Sequence, residues 1–241
     1  MAHSAAPGDS VRKGSLVILL SALVGLGALG RAASAEDRQA LAAPYLRALQ
    51  SGAVGQVEGH AYGESRKASG TPTPYEGVSV LILPYTPDID AQLDVIKAHQ
   101  RDSIASYTDT HAEIVSVRTA YERDLLAAGG GELVRGAVAD AAGVLQLTGV
   151  PEGEWLLLGW REESHAIKGA RVPPKDASRY PDLPVTTGYG AVSYWRTRIS
   201  VRPGETTAVN LSDRGIWLTA VREEVAHPDA ARRSATPKLR R

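Results

Sequence analysis

The stretch Ala139-Asp-Ala-Ala-Gly143-Val-Leu-Gln-Leu-Thr148-Gly-Val-Pro151-Glu-Gly153-Glu-Trp155-Leu-Leu-Leu-Gly-Trp160 decides the fold. Gly143 and the Pro151–Gly153 pair punctuate two short apolar runs, Val144–Thr148 and Glu154–Trp160. A turn, a strand, a turn and a buried strand is how the middle of a small antiparallel sandwich reads. No catalytic residue lies in the stretch.

Toward the N-terminus, Gly77–Pro84 (GVSVLILP) is β-branched in the manner of a central strand and is ended by Pro84 and Pro87. Before it, Gly55–Tyr62 alternates, with Val57, Gly59 and Ala61 on one face and Gln56, Glu58, His60 and Tyr62 on the other. Residues 36–52 read as a lead-in with modest helical character, interrupted by Pro44. From Asp88 the period changes to about 3.6. Ile89, Leu93 and Ile96 form one helical stripe, Ile114, Val117, Tyr121 and Leu125 another, and the positions between them are polar. A single helix over this insertion, 88–128, would be ~60 Å long. Its far end would have to return to the sheet through Gly129–Gly131, which reaches only ~10 Å. Two antiparallel helices are therefore expected, with Asp88 capping the first and the Thr110-x-x-Glu113 capping box opening the second. That hairpin puts the polar middle (Gln100, Ser103, Thr110) at an exposed tip.

Toward the C-terminus, Arg161–His165 is a charged strand end or loop, and residues 172–190 read as Pro-rich and irregular. Trp195, Thr197, Ile199 and Val201 alternate with polar residues, Pro203–Glu205 turns, and Thr207, Val209 and Leu211 face inward before a last strand at Ile216–Val221. The expected fold is mainly β: an antiparallel β-sandwich of seven or slightly more strands over 53–226, with an inserted α-helical hairpin, followed by a disordered basic tail at 227–241.

Three motifs carry a resemblance. Gly55-x-Val57-x-Gly59 with Gly77-Val78-x-Val80 is an opening strand pair. Asp140-x-x-Gly143-x-Leu145-x-Leu147-x-Gly149-Val150-Pro151-x-Gly153-x-Trp155-x-Leu157 is a central hairpin, and Ile199-x-Val201-x-Pro203-Gly204-Glu205-Thr206 with Val209-x-Leu211 is a closing pair. Together they resemble the carboxypeptidase regulatory-like domain, a transthyretin-like (prealbumin-like) sandwich among the carbohydrate-binding-like folds. Ala142 and Leu145 depart from the pattern, where that family carries Asp or Asn and an aromatic residue. The helical insertion and the long loop before Trp195 are additions to it. The resemblance implies a non-catalytic binding domain of the cell envelope, not peptidase activity.

Charge and composition narrow the function. Residues 36–227 carry 19 Lys and Arg against 25 Asp and Glu, a mildly acidic body that does not suit phosphate neutralisation, so no nucleic-acid partner is expected. The absence of cysteine excludes disulfides, thiolate chemistry and an acylated anchor. Residues 1–35 read as a signal peptide: Arg12 and Lys13, the apolar run Leu16–Gly30, then Ala33-Ser-Ala35 as a cleavage site before Glu36. Export to the periplasm or outside the cell follows; the alternative is an uncleaved N-terminal anchor, the one membrane contact expected. No cofactor or metal is expected, since His99-Gln-Arg-Asp102 lacks the constellation of a zinc peptidase and His99 and His111 read as solvated. Ser164 and His165 are strand neighbours facing opposite ways, not a hydrolase dyad. The expected binding residues are the aromatic side chains Trp160, Tyr180, Tyr189 and Tyr194, exposed at a sandwich edge and able to stack on a sugar or an envelope protein. In the alternative, an exposed stripe through Ile89, Leu93, Ile96, Ile114 and Tyr121 docks a partner or a second copy.

Overall fold

The structure, a computed structural model, describes residues 35–65, 70–167 and 185–226. The expected signal segment, the basic tail and Tyr180 lie outside them. The protein is mainly β, two sheets packed face to face with a helical hairpin inserted between two strands of one of them. In the first sheet β1 (Val54–Gly63) is central. It pairs antiparallel with the short β2 (Thr73–Pro74) and with β5 (Val144–Pro151), and parallel with β8 (Thr206–Ser212). The second sheet has the order β4 (Arg135–Val138), β3 (Ser79–Pro84), β6 (Gly153–Ala166), β7 (Val185–Val201), β9 (Leu218–Ala226), antiparallel throughout.

Alternation along each strand explains the packing. In β1, Val57, Gly59 and Ala61 face the sandwich core, as the sequence predicts, and meet Val80, Ile82, Trp155, Leu157 and Trp195 of the second sheet. Gly59 has a specific reason to be glycine, since a Cβ there would lie 2.8 Å from the Leu145 side chain. β6 is apolar at consecutive positions because both its faces are covered. Trp155 and Leu157 enter the sandwich core while Leu156 and Leu158 enter a second core on the other side. The same division holds in β3, with Val80 and Ile82 on one side and Leu81 and Leu83 on the other.

That second core is roofed by α2 (Pro87–His99) and α3 (Ile104–Ala127), so the molecule has three layers. The expected pair of antiparallel helices is present, but its caps lie elsewhere. Thr86 caps α2 by accepting from Ile89 N at 3.3 Å, because Pro87 occupies the first helical position and moves the cap one residue back. Asp88 sits instead in the first turn, favourably placed against the helix dipole. Ser103 caps α3, accepting from Ser106 N at 3.0 Å. Thr110 is buried inside that helix and donates to Ser106 O at 2.7 Å, so its hydroxyl is satisfied without capping anything. Gln100 is also buried rather than at an open tip, and its side-chain amide donates to the carbonyl of Thr219 on the edge strand β9.

The N-terminal lead-in is a helix, α1 (Ala35–Gln50), and its Ala42 and Tyr45 belong to the sandwich core. The Tyr45 ring meets Trp155 edge-on at 5.0 Å, and its hydroxyl donates to Glu154 O at 2.6 Å. Burial pushes the Tyr45 hydroxyl pKa up. The turn at Gly143 (φ +75) is organised by Asp140, whose carboxylate accepts from Ala142 N and Val144 N, both at 2.9 Å. That supplies the order an Asp or Asn at position 142 would otherwise lend.

Candidate functional site

β6 and β7 are 14 and 17 residues long, far longer than the strands of the sheet they face. Their paired ends, Glu162–Ala166 with Gly188–Val192, run on with β9 beyond the sandwich as a three-stranded arm. The sequence expectation of an irregular segment up to Gly190 is corrected here, because β7 begins at Val185. Glycines in this part of β7 serve the strand rather than break it. A Cβ at Gly188 would lie 2.8 Å from His165 O, and one at Gly190 would lie 2.3 Å from a carboxylate oxygen of Glu162. At Gly188 the carbonyl of the paired strand leaves no room for a side chain, whereas at Gly190 the neighbour is the flexible Glu162 side chain.

On the arm face that continues the sandwich core, His165 and Tyr189 are register partners. Their rings stack with centroids 5.0 Å apart and an interplanar angle of 27°. Four residues closer to the sandwich on β6, the guanidinium of Arg161 lies 4.2 Å from the centre of the Tyr75 ring and pairs with Glu163 at 2.6 Å. Tyr75 follows β2, at the end of the first sheet. The arm and the end of that sheet thus form a ledge, with Tyr189, His165 and the Arg161–Glu163 pair on the arm and Tyr75 beneath Arg161. Tyr189 is 42% exposed. The sequence singles out Tyr189 and marks Arg161–His165 as a charged strand end or loop, but it assigns no binding role to Arg161, His165 or Tyr75.

The opposite arm face is closed by α3. Tyr194 is 4% exposed and exchanges a 2.8 Å hydrogen bond between its hydroxyl and Nδ1 of His111. Burial pushes the Tyr194 hydroxyl up to about 12, with Arg118 opposing and Glu162 reinforcing the shift. Burial also lowers the pKa of His111, partly offset by Glu162. Glu162 binds Arg222 across Gly190, accepting from Nε at 2.9 Å and from Nη2. Trp160 is half-buried under the Arg118 guanidinium, 4.9 Å from its ring centre, and Arg118 pairs with Glu122 at 3.1 Å.

Exposed edge positions were expected for Trp160 and Tyr194, and neither has one, because the hairpin roof covers that side of the sheet. His111 is likewise packed rather than solvated. The helical stripe is also corrected as an exposed surface. Ile89, Leu93, Ile96 and Ile114 are buried against the outer face of the second sheet. Tyr121 is half-buried, donates to Pro84 O at 2.7 Å and has its pKa raised by burial. The stripe is the underside of the roof. Of the expected binding aromatics, Tyr189 stands exposed, and Tyr180 lies outside the described residues.

Chemically the ledge can stack on a planar or ring-shaped group and offer hydrogen bonds beside it. Ser164 and His165 are neighbours on β6 whose side chains leave opposite faces. Among the described residues no three His, Asp or Glu side chains gather as a metal site, and no helix is long and apolar enough to cross a membrane.

No protein-family model and no curated protein matches the chain. Among solved structures, a candidate carbohydrate-binding protein of Pseudomonas aeruginosa is similar at 18% identity and a TM-score of 0.36, over 66% of this chain and 88% of that one. The minor pilin GBS52 of Streptococcus agalactiae is similar at 12% identity and a TM-score of 0.24, over 65% and 94%. The pilus backbone protein RrgB of Streptococcus pneumoniae follows at 13% identity and 0.22, over 64% of this chain and 40% of that one.

Proposed function

We propose that this chain is an exported, non-catalytic binding module of the cell envelope, a sandwich of the carboxypeptidase regulatory-like type, and that its ledge holds the ligand, a glycan or a protein. The observation that carries the reading is Tyr189, a large aromatic ring left exposed and stacked on His165. Holding that ring by a stack on a strand, rather than on a loop, keeps it oriented for a flat partner at small entropic cost. Arg161 and Glu163 beside it supply polar contacts. Export rests on the N-terminal pattern of charge, apolar run and small residues before Glu36.

The test is a glycan array and an envelope-extract pull-down with protein beginning at Glu36, followed by titration of any hit. Tyr189→Ala should weaken binding about three- to tenfold, the worth of one aromatic stack. Tyr194→Phe, on the roofed face, should leave it unchanged. Equal binding by wild type and Tyr189→Ala would remove the ledge from the reading. A partner-docking role for the hairpin is the second reading. It now rests on Ile104 and Tyr107, exposed on the first turn of α3, instead of on the buried stripe.

A further inference from the structure

The third feature that sets this sandwich apart is a seam between β7 and β8. β9 pairs with β7 only as far as Tyr194, so Trp195–Val201 has β6 on one side and no strand on the other. β8 likewise pairs with β1 alone. The chain passes from β7 to β8 through the turn at Pro203–Gly204 without forming a hairpin, so the two open edges face each other across a groove of about 520 Å³. Ile199, Val209 and Leu211 line it on the apolar side, and Ser200, Ala208 and Asn210 on the exposed side.

Two side chains bridge the groove, one at each end. Trp195 Nε1 donates to Ser212 O at 2.7 Å, and Thr207 Oγ1 donates to Ser200 O at 2.9 Å. These bonds also reveal which main-chain groups face the seam. Backbone hydrogen bonding alternates along a strand, and Ser200 and Ser212 direct their carbonyls into the groove. Arg196 and Arg198 on β7, and Ala208 and Asn210 on β8, therefore face it too. No hydrogen bond of the described residues reaches their main-chain N–H or C=O groups.

Native sheets blunt open edges with proline, lysine, bulges or covering side chains. Here the other edges are treated so. Arg135 covers Thr148 O of β5 at 3.0 Å, Gln100 covers Thr219 O of β9, and β4 has four residues. The seam strands, Trp195–Val201 and Thr206–Ser212, contain neither proline nor lysine. Their two arginines are drawn away over the outer face: Arg196 to Asp90 and Asp94 at 2.6 and 2.8 Å, and Arg198 to Glu154 at 2.8 Å.

We propose that the seam binds an extended peptide segment of a partner protein, which adds to the free half of β7 in line with β9. Continuity with the β7–β9 ladder dictates a strand as occupant, because a vacancy beside paired strand can be filled at full hydrogen bonding only by backbone. Alternate side chains of the segment enter the groove over Ile199, Val209 and Leu211, which calls for small or β-branched apolar residues at every second position. This site is separate from the ledge, and neither depends on the other.

The experiment uses a capped hexapeptide of alternating Val and Thr, and the same peptide with a central Pro, against the chain from Glu36. Amide hydrogen exchange is followed residue by residue. With peptide at ten times its Kd, exchange of the Arg196 and Arg198 amides should slow about tenfold. The Pro peptide should give no protection, and Arg198→Pro protein, which loses no ladder bond, should abolish the effect while melting as a folded protein. Protection that rises with protein concentration alone would assign the seam to a second copy and overturn the proposal. So would protection present without peptide at any concentration, protection confined to the β9 edge, or none at millimolar peptide.

Discussion

Tyr45 tests whether the N-terminal helix is part of the fold or merely attached to it. Its side chain is 8% exposed, lies within the sandwich core, stacks edge-on against the fully buried Trp155 and bonds to Glu154 O. Tyr45→Ala deletes an aromatic side chain from a site whose other walls are strand residues with little freedom to collapse. Losses of this kind run to about 3–5 kcal/mol. For a domain of this size that is a fall in Tm of roughly 6–20 °C. Tyr45→Phe keeps the ring and strands one carbonyl, for about 1 kcal/mol. The assay is urea unfolding of the chain from Glu36, with near-UV circular dichroism reporting on Trp155 and an unchanged m-value as the condition for comparing midpoints. A loss below about 1 kcal/mol in Tyr45→Ala, or equal losses in the two variants, would refute the placement of α1 in the core. Gly153 offers an independent check, since a Cβ on that residue (φ +146) would lie 2.5 Å from the Tyr45 ring.

Two further outcomes follow from the turns and the roof. Gly143→Ala forces a left-handed φ on alanine and drives a Cβ to 2.3 Å from Ala61 O, so it should cost more than the ~1–2 kcal/mol of the backbone conformation alone. Gly204→Ala, at φ +73 in open space, should cost no more than that amount, and equal thermal shifts would show that the Gly143 contact is not there. His111 has its pKa lowered in the fold, so its contribution is fully present above the ordinary value of 6.5 and is lost as pH falls below it. Between pH 7.5 and 5 the wild type should lose more stability than His111→Gln, measured by urea midpoint; parallel pH profiles would refute the buried Tyr194–His111 contact.

What the sequence revealed depended on how many faces of an element were covered. β1 has one covered face, so its alternation could be read directly from Gln56 to Tyr62. β6 was legible as buried, but its continuous apolar run did not say what lay on its second side. The answer is the stripe through Ile89, Leu93, Ile96 and Ile114, whose 3.6 period shows an apolar helix face but not which surface it covers. The arm was hidden for a different reason. Arg161–His165 and Gly188–Gly190 carry charge and glycine where a buried strand has apolar residues, and their extended form comes from pairing with each other rather than from burial. Nor could the His165–Tyr189 stack be seen beforehand, since the residues are 24 positions apart and meet only through that register.

The roof also determines where recognition can occur. Leu81, Leu83, Leu156 and Leu158 would form a broad apolar face on the second sheet if α2 and α3 were absent, and a face of that kind associates or aggregates. The hairpin is therefore required by the sheet, and it buries Tyr194 and half-buries Trp160 and His111 beneath it. Two features of the sheets remain that the packing does not use: the end of β6 and β7 beyond the first sheet, and the half of β7 beyond β9. Both arise from one fact, that β7 is 17 residues long while the strands flanking it are shorter and offset. One strand thus leaves a ring face free at one end and backbone groups free at the other.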